Sequence, residues 1–299
     1  MKELSRRDFS LGSAAFALLA ACHTALSEEP LVRFGVVTDL HYAKIPDGPY
    51  YRGVLSRHYS QSAKKLADCV RFMNGRSLAF MIELGDFKDQ SKTKDETLGC
   101  LDEIEGVFAD FRGPRYHVLG NHDNDCLTKD EFLSHVSNGG QEKALSFYSF
   151  GSGNVTFVVL DANFNEKMEP YVPGNWDWRD ANVPPDELCW LEKTLAAAAG
   201  PVVVFGHQRL DAASAAEDRV KNAAEVRKIL ERSGKVVAVF TGHDHFGGIS
   251  MENGILYYTL KAMVHGTKQS ELVRYVEVSV GCGDKVCVTG YGDAPNCRT

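Results

Sequence analysis

The sequence predicts an α/β domain built on two packed β-sheets, and three observations carry the prediction. From Leu31 onward, short apolar runs of strand length alternate with stretches whose apolar residues recur at helical spacing. The middle and the end of the chain carry paired strand-like segments that read as antiparallel hairpins. Finally, 299 residues with 44% hydrophobic composition suffice for one sizeable core, and no repeat, low-complexity tract or clear linker divides them.

Taken in order, LVRFGVVTD is a near-continuous apolar strand of the kind buried on both faces. Tyr59, Ala63, Leu66, Val70 and Met73 fall at steps of four and three, the stripe of a helix with one buried side. The strand LAFMIELGD follows, then a helix around Asp95–Phe111 and the strand RYHVLGN. ALSFYSF and NVTFVVLDA are expected to pair antiparallel across Gly151–Gly153. NVPPDELCWLEKTLAAAAG signals a helix, with prolines at its entrance and Gly200 at its end. PVVVFGH and KVVAVFTGHDH are two further buried strands, separated by a helix around Ala216–Arg232. The tail, GGISMENGILYYTL and LVRYVEVSVGCGDKVCVTGYG, reads as antiparallel hairpins.

The first residues form a separate unit. Arg6 and Arg7 precede an apolar run, Leu11–Ala21, that is too short to span a bilayer and has the layout of an export signal. The S-R-R-x-F pattern resembles a twin-arginine signal, and Leu19-Ala20-Ala21-Cys22 resembles a lipobox, in which Cys22 would be acylated after cleavage. An uncleaved anchor or an ordinary signal cut slightly later is the alternative. On the first reading, residues 1–21 are the signal, 22–30 a tether at the membrane, and 31–299 a single extracytoplasmic domain.

The formal charge of −7 and pI near 5.8 leave no basic footprint for nucleic acid. Removing residues 1–21 takes away Lys2, Arg6 and Arg7 together with Glu3 and Asp8, so the mature charge becomes −8. Among the eight cysteines, none has zinc-finger spacing. Cys282 and Cys287 flank a hairpin-like GDKV and are candidates to pair with each other or with Cys297; Cys69, Cys100, Cys126 and Cys189 read as buried free thiols.

Five of the apolar strands end in polar signatures: Asp39-Leu40-His41, Gly85-Asp86-Phe87-Lys88-Asp89, Gly120-Asn121-His122-Asp123, Gly206-His207 and Gly242-His243-Asp244-His245. Ligands in open α/β sheets bind beyond the carboxyl ends of strands, so the five clusters are expected to meet on one rim. Individually most of them read as turns or loops. Jointly they offer Asp39, His41, Asp86, Asn121, His207, His243 and His245, oxygen and nitrogen donors suited to Mn, Fe or Zn. Seven donors exceed one tetrahedral ion but serve two ions that share a carboxylate, about 3.5–4 Å apart around a bridging water.

This ordered set, D-x-H, G-D-x-x-D, G-N-H-D, G-H and G-H-x-H between about Val32 and His245, resembles the calcineurin-like metallophosphoesterases. The resemblance implies two facing mixed sheets flanked by helices and hydrolysis of phosphate esters or anhydrides with two divalent metals. It assigns Asp39, His41, Asp86 and His245 to one metal. Asp86 bridges to the second, completed by Asn121, His207 and His243. His122 is implied as proton donor or transition-state stabiliser, oriented by Asp89. His117, His135 and His265 match no motif and are expected to pack or to face solvent, while Asp123 suits either support of the site or loop capping.

The segment after His41, YAKIPDGPYYRGVLSRHY, carries Arg52, Arg57 and His58 near the rim. Tyr51 and Arg52 are candidates to clamp a phosphate or stack a base, against the alternative of a plain surface loop. This segment and the PPDELCWLEKTL helix are similar to the ADP-ribose/CDP-alcohol diphosphatase branch, whose first motif is D-x-Q where this chain has D-x-H. The expected partner is therefore a small phosphorylated compound. An exported lipoprotein that binds a ligand without catalysis is the other functional class.

Overall fold

The computed structural model describes residues 29–48, 50–140, 145–266, 273–281 and 285–299, without the side chains of Tyr50 and Tyr51. The expected signal, Cys22, most of the tether and Cys282 lie outside the described residues.

The elements run β1 (Val32–Val37), β2 (Tyr50–Tyr51), β3 (Leu55–Ser56), α1 (Ser62–Met73), β4 (Phe80–Glu83), α2 (Lys94–Ala109), β5 (Arg115–His117), α3 (Lys129–His135), β6 (Tyr148–Ser152) and β7 (Val155–Val159). They continue with α4 (Pro185–Ala197), β8 (Val202–Phe205), α5 (Ala223–Ser233), β9 (Val236–Thr241), β10 (Gly248–Glu252), β11 (Ile255–Thr259), β12 (Arg274–Val280), β13 (Val286–Gly292) and β14 (Cys297–Arg298). One six-stranded sheet has the order β14-β13-β12-β1-β4-β5, and the other β10-β11-β9-β8-β7-β6.

Residue alternation on β1 shows how two sheets arise. Val32, Phe34 and Val36 point into the core between the sheets, whereas Val37 faces the helical layer. Phe34 stacks on Phe80 of the neighbouring strand at 4.9 Å and meets Phe157 and Phe205 of the opposite sheet edge-on at 5.3 and 5.7 Å. The outer faces are closed by α1 and α2 on the first sheet and by α4 and α5 on the second. Strands buried on both faces need this double cover, which is why their sequences are apolar without alternation.

Several boundaries differ from expectation for identifiable reasons. The helix expected near Ala216 starts at Ala223, because the segment before it bridges Arg209 to Arg219 and puts Asp218 into an ion pair with Arg52. Strand β6 runs through Gly151 and Ser152, so its turn falls on Gly153, whose φ of 58° suits glycine. The tail splits: β10 and β11 form a hairpin, yet β11 pairs parallel with β9, while β12 crosses to lie antiparallel to β1 in the other sheet. Among the described cysteines all are free, and Cys189 is exposed on α4. Cys287 sits opposite Arg298 while Cys297 sits opposite Val288, a one-residue offset that sends the two thiols to opposite faces.

Candidate metal centre

All five polar strand ends meet at one edge of the double sheet, and backbone bonds tie them together. Asp39 N–H donates to Gly85 O (3.0 Å), His41 N–H to Asp86 O (2.8 Å) and Gly242 N–H to His207 O (3.0 Å). Asp39, His41, Asp86 and His243 adopt left-handed backbone angles, φ 52°, 47°, 53° and 67°. Each such residue costs about 1–3 kcal/mol unless its surroundings over-determine it, a pattern concentrated at functional sites. Two glycines are required outright. Gly85 has φ +93° and lies against Gly120, and a Cβ on Gly120 would run into the backbone nitrogen and carboxylate of Asp86.

Asp39, His41, Asp86 and His245 present ligand atoms within 4.8 Å of one another, and so do Asp86, His207 and His243. Asp86 belongs to both groups: its Oδ2 is 3.5 Å from His41 Nε2 and 3.2 Å from His207 Nε2. Asn121 is buried between Gly120 and His122, and the His122 N–H donates to Asp86 Oδ1 at 2.8 Å. Asp39 Oδ1, Asn121 Oδ1, His207 Nε2 and His243 Nε2 are all buried without a hydrogen-bond partner. Orphaned polar atoms of this kind are costly and rare in a packed protein, so their convergence fits a cation.

The electrostatics agree. Burial opposes ionisation of Asp39, yet the imidazoles of His245 and His41, 3.4 and 3.8 Å from its Oδ1, hold its carboxyl well below the usual range. His207 is raised to about 9, against its burial, by the Asp86 and Asp39 carboxylates, so the cluster is short of positive charge. His243 is pushed down to about 3 by burial and by His207, which keeps its imidazole neutral as a metal ligand requires. The residues present thus fit two divalent ions that share Asp86.

His122 stands beside this cluster. Its Nδ1 is 3.1 Å from Asp89 Oδ1, and its ring meets that of His41 at 4.7 Å. Asp89 also lies 3.3 Å from His41 Nδ1 and 3.5 Å from an Arg57 guanidinium nitrogen. Although burial works against it, Asp89 and Asp86 raise His122 to about 10.

A calcineurin-like phosphoesterase profile matches residues 32–247, the span that holds all five strand ends. The chain belongs to the calcineurin-like phosphoesterase family. It is 30% identical to a manganese-dependent ADP-ribose/CDP-alcohol diphosphatase of Oryza sativa subsp. japonica, over 85% of this chain and 90% of that one. A protein of the same name from Arabidopsis thaliana is 27% identical over 84% of this chain and 92% of its own length. In fold it is similar to a dimetal phosphatase from Danio rerio, with a TM-score of 0.79 and 21% identity, covering 90% of this chain and 99% of that one. This phosphoesterase is a metal-dependent hydrolase.

Other expectations for the phosphoesterase fare differently. Arg52 does not stand free over the rim: its guanidinium pairs with the buried Asp218 at 2.5 Å and with Glu217 at 3.2 Å. The backbone of Tyr51 lies in β2, paired with Leu55, and its side chain is outside the described atoms. His58 pairs with Asp47 at 2.7 Å. Asp123 supports the site: its carboxylate accepts N–H bonds from Asp86 (2.9 Å), Gly120 (2.8 Å), Phe87 (3.0 Å) and Lys88 (3.4 Å).

Sequence reasoning missed four groups. Lys88 is buried, donates to the His122 carbonyl at 2.5 Å and pairs with Asp125. The second signature contains Lys88, and Asp125 lies two residues past the third, so charge beside a buried strand end was the available signal. Arg209 clamps Asp244, the residue between His243 and His245, at 2.7 Å while holding Asp211 with two bonds. Trp176 and Trp178 bring their rings to 5.2 Å from His122 and 5.8 Å from His243. Finally, His265 is fully buried and hydrogen-bonded to His245 at 2.5 Å, where packing or solvent exposure was expected. It lies far along the chain from any motif, and no local pattern signals it.

Proposed function

We propose that this phosphoesterase cleaves the phosphoanhydride bond of small nucleoside-diphosphate compounds of the ADP-ribose or CDP-alcohol kind. The observation that carries the reading is the pair of ligand groups sharing Asp86, with orphaned buried atoms on Asp39, His207 and His243 within them. The substrate class is supported by the names and near-full-length coverage of the plant relatives. Two divalent ions at such a centre supply positive charge for phosphoryl oxygens and acidify a water.

The roles of this chain's residues follow from the geometry. Asp39, His41, Asp86 and His245 would hold one ion, and Asp86, Asn121, His207 and His243 the other. With Nδ1 turned to Asp89, His122 keeps Nε2 for the substrate and passes a proton to the departing phosphate oxygen. Asp89 fixes the ring that makes this transfer, and the backbone bond from His122 N–H to Asp86 keeps proton donor and ligand at fixed separation. Arg57, beside Asp89, offers a guanidinium for a phosphate. Water adds to one phosphorus as the bridging P–O bond breaks, so ADP-ribose yields AMP and ribose 5-phosphate.

The test is a panel of ADP-ribose, a CDP-alcohol, a cyclic nucleotide and p-nitrophenyl phosphate, each assayed with manganese and with a chelator. Chelator-sensitive release of AMP from ADP-ribose, faster than monoester hydrolysis, is expected. Monoester hydrolysis that outpaces the diphosphates would overturn the substrate class.

For residues 1–22 we propose export and acylation at Cys22, on the strength of the twin-arginine-like and lipobox-like patterns. Cys22→Ala should then release the protein from the membrane fraction of a bacterial host; unchanged partitioning would refute the tether.

A further inference from the structure

His265 sits where two unrelated parts of the fold meet. Its Nε2 is 2.5 Å from His245 Nδ1, and its Nδ1 is 2.7 Å from the carbonyl oxygen of Ser56, at the end of β3. The ring is fully buried. Its backbone is held by an unusual clamp: the Lys65 ammonium, buried on α1, donates to the carbonyls of Met263 (3.0 Å), Val264 (3.4 Å), His265 (2.6 Å) and Gly266 (3.3 Å). The same segment is pinned to the first strand end, where Val264 N–H donates to Asp39 O at 3.0 Å. Neither the ring nor its backbone is placed by the proposed chemistry, so the arrangement asks for another explanation.

The proton positions along this chain follow from one fixed point. A carbonyl oxygen only accepts, so His265 carries a hydrogen on Nδ1, directed at Ser56. For His245 to offer its Nε2 lone pair towards Asp39 and His41, its own hydrogen must be on Nδ1. That hydrogen then points at His265 Nε2, which accepts it because the neutral ring has its hydrogen on the other nitrogen. Ligating histidines commonly donate their second N–H to a carboxylate or carbonyl; here a second imidazole takes that place.

We propose that His265 is a positioning residue that fixes the tautomer and ring orientation of His245 and couples the first metal to the β2–β3 hairpin through Ser56. The proposal rests on His245 being a metal ligand. The hairpin also carries Arg52 and precedes Arg57, so the segment expected to meet substrate and the metal centre share one hydrogen-bonded line.

Two variants of equal length separate the polar role from packing. In His265→Gln the amide oxygen can accept from His245 while its N–H₂ donates to Ser56; His265→Met fills the same space with neither. Manganese titration of metal-free protein, read by electron paramagnetic resonance, should find two tight sites in the wild type. His265→Gln should stay within about threefold, and His265→Met should weaken one site by roughly 10–100-fold. Equal affinities in both variants, or equal losses, would overturn the relay while leaving the two-metal reading intact. A wild type that binds no manganese would instead remove the ligand assignment on which the relay depends.

Should His265→Met fail to fold, nitrogen-15 spectra of the zinc-loaded wild type decide the matter. Hydrogens on Nδ1 of both His245 and His265 support the relay, and a hydrogen on His265 Nε2 refutes it.

Discussion

Replacing Asp123 by Asn changes one atom and should cost more stability than most substitutions in the molecule. The Asp123 carboxylate spends one oxygen on the N–H groups of Asp86 and Gly120 and the other on those of Phe87 and Lys88. It is fully buried, so no water replaces a lost acceptor. The amide of Asn keeps one oxygen and turns its N–H₂ group towards the remaining two donors. Two accepted bonds disappear, and two buried N–H groups are left facing another donor. Orphaned donors cost about 1–3 kcal/mol each, so the loss is on the order of 3–5 kcal/mol, a large part of a typical domain's stability. With a urea dependence of about 3 kcal/mol/M, the unfolding midpoint of the metal-free protein should drop by roughly 1–1.5 M. The same change loosens the two loops that carry Asp86 and Asn121, so manganese affinity should fall in the folded fraction. A midpoint within about 0.3 M of wild type, with unchanged affinity, would refute the claim that Asp123 organises the loops.

Other expectations concern the charges around that site. Asp86→Asn removes the carboxylate shared by both ligand groups, and elemental analysis should find fewer than two metals per chain; two retained metals would sink the shared-ligand assignment. His122→Ala should lower turnover by about 10²–10⁴-fold with metal content intact, as expected for loss of a general acid. Wild-type turnover of that variant on an activated phosphodiester would show that the proton comes from elsewhere. His117 lies buried between Glu83 (2.8 Å) and Glu105 (3.1 Å), which raise it to about 9 although burial opposes this. A raised folded-state pKa contributes stability that is full below about pH 6.5 and is lost as pH rises through about 9, on the order of 3 kcal/mol. Urea unfolding across that window should therefore slope downward in wild type and be flatter in His117→Gln; parallel slopes would count against the charged triad.

Much of this protein was legible before folding. Strands buried on both faces announce themselves as apolar runs, since double cover leaves no polar face, and five such runs ending in Asp, Asn or His mark one edge of the sheets. The family signature resides in those strand ends because a strand terminus fixes a side chain's direction within the motif itself. What failed to show was whatever depends on a distant partner. Arg52 reads as a free cation until the 209–220 segment brings Asp218 to it, and that segment delays the following helix. The tail reads as hairpins, but only sheet assembly decides that β12 leaves β11 to flank β1.

His265 marks the boundary most sharply. Alone it is a histidine after an apolar turn, and 20 residues separate it from His245. Residue type and order determined which donors this chain owns, because ligand chemistry is local to a side chain. Tertiary structure decided which donors share a carboxylate, which nitrogen of His245 carries its hydrogen, and which cations are already paired. Those are relations between atoms distant in the sequence, fixed only when burial brings them together and forbids any alternative partner.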